Sequence, residues 1–129
     1  MMKYSFIFLS IIELFFSTLF KSIFISFEER VTIKVKGPGT VQILSQEFTS
    51  LPDKICDSEE NLIAQRQSQI SITEEEKVII MKWNNRLTNS LVKMFKGLEN
   101  IIEIDLSKFD SSDIKYMNDM FNGCVILKR

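Results

Sequence analysis

Side chains that could support catalysis or bind a metal ion are few in this chain, and histidine is absent from it. Without histidine, Ser–His and Cys–His nucleophilic pairs and His-ligated metal sites are excluded. Cys56 and Cys124 form no Cys-x-x-Cys pair and supply too few ligands for a structural zinc site. They either form a disulfide in an oxidising compartment or stay unpaired, with Cys124 buried as a small apolar residue.

Two groups of carboxylates are the remaining candidates for chemistry. Glutamates occupy positions 74–76, and Asp105, Asp110 and Asp113 are closely spaced. No Gly-rich loop with alternating acidic ligands accompanies the aspartates, so we interpret them as turn and cap residues and the glutamates as a solvated run. No phosphate-binding Gly loop, nucleophile elbow or kinase signature is present. The sequence therefore predicts no catalytic residue, no cofactor and no metal site, and we expect that the chain is not an enzyme.

Composition and charge narrow the class of partner. The chain is 45% hydrophobic and 26% charged, with four Gly and two Pro, which is typical of a globular protein. Lys3, Glu13 and Lys21 are the charged residues among the first 27, so the remainder has 14 basic and 16 acidic side chains. No basic run is longer than two residues. The positive surface that nucleic-acid binding needs is absent, and we expect no nucleic-acid partner.

The first 27 residues have the layout of a targeting segment. Lys3 precedes a run rich in Phe, Ile and Leu from Tyr4 to Phe20, which is interrupted by Glu13. A basic start followed by an apolar run is typical of a secretory signal. The segment is either cleaved, at small residues near Ser22 and Ser26, or retained as a signal anchor; a buried helix is the third alternative. We expect an N-terminal apolar helix, an extracellular or cell-surface location, and membrane contact only through this segment.

Residues 28–76 predict a small β-rich region. Val31 to Lys36 alternates apolar with polar side chains, as in a half-buried strand. Gly and Pro at positions 37–39 favour a turn, and Val41 to Leu44 follows as a second short strand. Residues 31–44 are therefore predicted to form a β-hairpin, with a third strand at residues 70–72.

The C-terminal part contains an internal repeat with a spacing of 26 residues. Apolar, Gly and turn residues of one unit align with those of the next. The aligned pairs are Val78 with Ile104, Ile80 with Leu106, Trp83 with Phe109, Asn84 with Asp110, Leu91 with Met117, Met94 with Met120, Phe95 with Phe121, Gly97 with Gly123, and Ile101 with Leu127.

Each unit predicts one strand and one short helix. Residues 102–106 alternate as a strand, with Ile104 and Leu106 pointing inward and Asp105 outward. Apolar residues spaced three and four apart over 114–121 predict about two helical turns. Gly123 then ends the helix with a positive φ. The predicted fold class is α/β: a leucine-rich-repeat-like solenoid of strand plus short helix in each 26-residue unit, preceded by the hairpin region and the N-terminal helix.

These residues also carry a family resemblance. Residues 100–112 read NIIEIDLSKFDSS and residues 117–124 read MNDMFNGC. They resemble the repeat of BspA-like leucine-rich-repeat surface proteins, which runs Leu-x-x-Leu-Asp-Leu-Ser-x-Phe-Asp-Thr-Ser and then Met-x-x-Met-Phe-x-Gly-Cys. The preceding unit is looser, with Trp83 in place of Phe and Leu98 in place of Cys. The resemblance implies a surface-exposed or secreted adhesion and protein-interaction protein without enzymatic activity.

The organisation that we predict from these patterns has three parts. Residues 1–27 are a signal peptide or anchor, residues 28–76 are a β-rich lead-in or cap, and residues 77–129 are BspA-like repeats, one full unit and two partial ones. Because solenoids need several units and caps, we interpret the chain as a short or truncated member in which a partner, or self-association, covers the last coil.

The predicted partner-contact face consists of the outward strand positions of two successive units, which contact a protein or other surface ligand. These positions are Lys77, Ile79, Met81, Glu103, Asp105 and Ser107. The alternative function is a small membrane-anchored structural or vestigial repeat protein that binds no ligand.

Overall fold

A computed structural model describes residues 28–128, which contain nine β-strands. The strands are β1 (Glu29–Lys36), β2 (Gly39–Gln42), β3 (Lys54–Cys56), β4 (Leu62–Ala64), β5 (Gln69–Ile72), β6 (Glu76–Trp83), β7 (Asn89–Ser90), β8 (Ile101–Asp105) and β9 (Ile114–Tyr116). They form a five-stranded sheet in the order β4-β3-β6-β1-β8, the antiparallel pair β2-β5 and the parallel pair β7-β9.

Strand β1 lies in the five-stranded sheet between β6 and β8 and pairs antiparallel with both. Its alternating side chains divide as the sequence predicts: Val31, Ile33 and Val35 are fully buried, while Thr32 and Lys34 on the other face are half-buried. This inner face packs into one core together with residues of β2, β5 and the chain after β6. Burial of one face of a sheet thus explains the period of two.

The described residues contain no helix, so the predicted α/β solenoid is wrong. The segment predicted to be a helix, residues 114–121, begins as strand β9 and continues as overlapping turns. Asp119 has a φ of 56°, in the left-handed region that an α-helix does not contain. Consecutive turns also bring residues three apart to one side, so the apolar spacing indicated the buried face correctly and the type of element wrongly.

The predicted β-hairpin over residues 31–44 is also wrong. Strands β1 and β2 are both present, but β2 pairs with β5 and β1 pairs with β6 and β8. The Gly37-Pro38 peptide bond between them is cis. The partners of β1 are therefore strands distant in sequence, which turn chemistry alone cannot identify.

The repeat spacing of the strands is 25 residues and not 26. Ile33 of β1 lies opposite Ile79 on one side and Ile104 on the other, which are 25 positions apart. The spacing changes to 26 at a β-bulge between Asn89 and Ser90, since Asn89 pairs with Ile114 and Ser90 with Tyr116. A shift of one residue moves every strand side chain to the opposite face. The 26-residue alignment therefore assigns the wrong face to one of the two strands.

The boundary predicted between residues 76 and 77 runs through a shared structure, because β1 of the lead-in completes the sheet of β6 and β8. The predicted signal segment and its helix, residues 1–27, lie outside the described residues. Among residues 28–128, no helix is long and apolar enough to cross a membrane.

Candidate protein-interaction surface

Two irregular stretches of the chain lie side by side at one end of the molecule and define the candidate surface. We call residues 89–97 the first turn segment and residues 114–123 the second turn segment. They begin as the short parallel strands β7 and β9 and continue as turns. Within each segment, alternate N–H groups donate to the carbonyl three residues earlier, as from Met94 to Leu91 and from Met120 to Met117. The two segments therefore have the same local conformation, 26 residues apart.

The remaining N–H groups of the first turn segment hold the second one in place. Four of them donate to carbonyl oxygens of the second segment at 2.7–3.0 Å. The bonds are Leu91 to Tyr116, Lys93 to Asn118, Phe95 to Met120, and Gly97 to Asn122. All four run in one direction, from the N–H groups of the first segment to the C=O groups of the second.

Side chains at the 26-residue spacing stack across this ladder. The rings of Phe95 and Phe121 are almost parallel, with centroids 6.0 Å apart. Gly97 and Gly123 both have positive φ, and a Cβ on Gly123 would lie 3.1 Å from the Gly97 Cα. Glycine at both positions thus permits the close backbone approach. The positive φ predicted for Gly123 is present, although the residue ends a run of turns.

The opposite edge of the first turn segment is covered by the chain that follows β2. The Ser45 N–H donates to the Met94 carbonyl at 2.9 Å. The carboxylate of Glu47 accepts hydrogen bonds from Lys93 and Lys96, and these bonds hold its pKa below the usual value. The first segment therefore has a neighbour on both edges, which explains why Leu91, Met94 and Phe95 are fully buried.

The second turn segment has a neighbour on only one edge. The N–H groups that correspond to the four ladder donors belong to Met117, Asp119, Phe121 and Gly123. Within residues 28–128, none of these four donates a hydrogen bond. The outer edge thus presents a row of backbone donors without acceptors, which in a β-structure is a template for another chain.

Exposed apolar side chains accompany this edge. Five of the large apolar side chains that stay exposed fall within residues 116–126. They are Tyr116, Met117, Phe121, Val125 and Ile126. A concentration of large apolar groups on a surface, next to unpaired backbone donors, marks an interaction site more often than scattered exposed residues do.

The structure separates the six residues of the predicted contact face. Ile79 and Met81 are 0% exposed and belong to the core, because the 25-residue strand spacing turns them inward. Lys77 is on the same sheet face as these two and forms an ion pair with Glu74 at 2.7 Å. None of the three lies beside the other half of the predicted face.

Glu103, Asp105 and Ser107 are exposed, as predicted. Glu103 and Asp105 lie opposite Lys34 and Thr32 on the outer face of the sheet. The Asp105 carboxylate accepts the Ser107 N–H at 2.8 Å, and this hydrogen bonding lowers its pKa. Asp105 therefore stabilises the turn after β8, and a contact role for these three residues stays a prediction.

Sequence reasoning missed an ion cluster around Arg86, which joins the chain after β6 to the loop before β9. Arg86 pairs with Asp110, with Asp113 at 2.7 Å, and with Glu29 at 3.7 Å. Glu29 is 2% exposed and accepts the Asp110 N–H through Oε2 at 3.0 Å. Burial raises the pKa of Glu29, and Arg86 opposes that effect. The Asp110 and Asp113 carboxylates are thus engaged by an arginine.

The two cysteines are free thiols, Cys56 buried and Cys124 partly buried. Cys124 packs against the core, its Sγ lies 3.1 Å from the Phe95 carbonyl oxygen, and burial raises its pKa. In the part of the chain that the structure describes, no group of three or more His, Cys, Asp or Glu side chains is placed to hold a metal ion.

Hydrogen exchange of the full chain tests the free edge directly. We expect slow exchange for the amides of Lys93, Phe95 and Gly97, which donate across the ladder, and fast exchange for those of Asp119, Phe121 and Gly123. Each pair occupies equivalent positions, so the comparison controls for local turn structure. Equal protection in the two segments, measured residue by residue by NMR, would show that the outer edge already has a partner.

Comparisons with known proteins place the chain in a family. A search of curated proteins found no match. A search of solved structures found none either. The family described as Mycoplasma protein of unknown function, DUF285, matches residues 65–129, from just before β5 through both turn segments. This match covers half of the chain, and the protein therefore belongs to the DUF285 family.

Proposed function

We propose that this protein is a non-enzymatic, BspA-like surface or secreted module that binds another protein through the second turn segment. The single observation that carries the proposal is the outer edge of that segment, where four unpaired backbone donors accompany exposed apolar side chains. Interfaces with proteins combine apolar anchors with directional polar groups, and this edge offers both. The family match supports the BspA-like assignment, because it includes the whole second turn segment.

The surface has the aromatic and methionine side chains that interface cores favour. Tyr116, Met117 and Phe121 are about half exposed, so their burial by a partner would remove apolar area from water. Phe121 is also held in position by its stack on Phe95. A side chain that is already ordered loses less conformational entropy on binding, which makes Phe121 the expected anchor.

Site-specific photo-cross-linking tests this proposal. A photoreactive phenylalanine analogue replaces Phe121 in the full chain, produced in cells that secrete or display it. We expect a discrete cross-linked protein adduct, which excess unmodified protein competes away and excess Phe121→Asp protein does not. Leu62 is the matched control position, since it is 56% exposed and lies on edge strand β4.

Two outcomes would contradict the proposal. The first is the absence of a competable adduct from position 121. The second is an equal adduct from position 62, which would indicate non-specific apolar contact.

A further inference from the structure

We propose that the partner of the second turn segment is itself a turn segment of this kind, supplied by another polypeptide. It runs parallel to residues 114–123, presents carbonyl oxygens at alternate residues and places an aromatic ring over Phe121. This inference rests on the proposed function and specifies the chemistry of the partner.

The internal ladder shows what such an edge accepts. The first turn segment presents N–H groups from Leu91 to Gly97, and its neighbour answers with carbonyl groups at every second residue. The second turn segment repeats the same conformation and presents the same four groups outward. A segment in the conformation of residues 114–123 therefore supplies acceptors at the spacing that the free donors require.

The direction of the hydrogen bonds determines which partner fits. The carbonyls of Tyr116, Asn118, Met120 and Asn122 are engaged by the first turn segment, and those of Met117, Asp119 and Phe121 by turns within the second. The outer edge therefore offers donors without matching acceptors. Two copies facing each other through this edge would place N–H against N–H, so a symmetric dimer at this site is disfavoured.

The phenylalanine pair supplies the side-chain part of the argument. Phe95 carries the ring of Phe121 and is fully buried, whereas Phe121 is 42% exposed. The two residues hold equivalent places in their segments, so the difference in burial arises from the missing next ring. A partner aromatic at the corresponding position would continue the stack.

A peptide with the sequence of residues 111–128, carrying Cys124→Ser and a fluorescent label, is the probe. It is titrated with the full-length protein, and binding is followed by fluorescence anisotropy. We expect saturable binding that is lost with Phe121→Asp protein and with a peptide that carries Asp at the position of its own phenylalanine. We also expect the amides of Asp119, Phe121 and Gly123 to become protected from exchange when the peptide is bound.

Replacement of Met117 isolates the backbone contribution. Met117→Pro removes one outward N–H that no other described residue uses, and Met117→Ala removes the same side chain while keeping the N–H. One hydrogen bond corresponds to about a 3- to 10-fold change in affinity, so we expect the proline variant to bind more weakly than the alanine variant by that factor. Unfolding curves of both variants establish that they fold.

The inference is overturned if the peptide shows no saturable binding up to about 1 mM, the limit of weak recognition. It is also overturned if the Pro and Ala variants, both folded, bind equally. A cross-linked partner at position 121 without peptide binding would leave the proposed function standing and remove this inference alone. Peptide binding without any cross-linked partner would do the reverse.

Discussion

Replacing Phe95 with alanine is expected to lower the free energy of unfolding by about 3 to 5 kcal/mol, the range for truncating a fully buried phenylalanine. Phe95 is 0% exposed and lies between the core and the Phe121 ring, so nothing can relax easily into the space that it leaves. The loss includes transfer of the ring from the interior to water and the cavity that remains. Chemical denaturation of the full chain measures it.

Phe121→Ala is the matched control for this prediction. It removes the same stacked pair from the exposed side, and aromatic pairs contribute about 0.5 to 1.5 kcal/mol beyond area burial. Because Phe121 is 42% exposed, we expect a smaller loss than at Phe95. Equal losses for the two variants would mean that the second turn segment is as deeply packed as the first, contrary to this structure.

Arg86→Met is expected to destabilise the fold by about 2 to 4 kcal/mol. Removal of one partner of a buried ion pair costs about 3 to 5 kcal/mol, and the figure is reduced here because Arg86 is 28% exposed. The variant leaves the Glu29 carboxylate buried without its cation and releases Asp110 and Asp113. The same denaturation measurement at neutral pH checks it.

The pH dependence of this variant identifies Glu29 as the cause. Burial raises the pKa of Glu29 above the usual 4.5, so the folded state binds the proton more tightly than the unfolded state and stability falls as pH rises through that window. Arg86 opposes the rise, and without it the window extends upward. We therefore expect the stability difference between wild type and Arg86→Met to shrink from neutral pH towards pH 5.

A second replacement completes the test. Glu29→Gln combined with Arg86→Met removes the buried charge and should restore much of the lost stability. A double variant as unstable as Arg86→Met, with the same pH dependence, would attribute the loss to the released aspartates instead of Glu29.

The sequence identifies those strands whose two faces meet different environments. The alternation in β1 and β8 follows directly from one buried and one exposed face, and both strands lie close to their predicted positions. Pairing partners could not be predicted, because the choice of β5 for β2 depends on contacts far along the chain. The predicted hairpin failed for this reason, although its strands are real.

The prediction of a short helix failed because two kinds of backbone produce the same apolar spacing. Leu91, Met94 and Phe95 fall on one side whether the chain is helical or a series of turns. The distinguishing feature is the positive φ of Lys93 and Asp119, and neither residue type announces it as glycine would. Composition therefore could not separate the two readings.

The candidate surface was only partly accessible to sequence reasoning. The 26-residue spacing aligned Phe95 with Phe121 and Gly97 with Gly123, and both pairs are in contact. The row of free N–H groups involves backbone atoms, whose direction no side-chain pattern reports. The Arg86 cluster was missed for another reason: its carboxylates were interpreted as caps, and its arginine lies 24 to 27 residues away from two of them.

The central position of β1 has a consequence for how this chain acquires its structure. Glu29 pairs with Trp83 and Thr32 with Asp105, partners that are 54 and 73 residues away. Such distant pairings require large loops to close before any contact rewards them, which makes folding slow and concerted. A polypeptide that began at residue 65 would lack the strand to which both β6 and β8 bond. The stretch matched by the family is thus not an autonomous folding unit in this protein, and the sheet is completed only when the last third of the chain returns to its beginning.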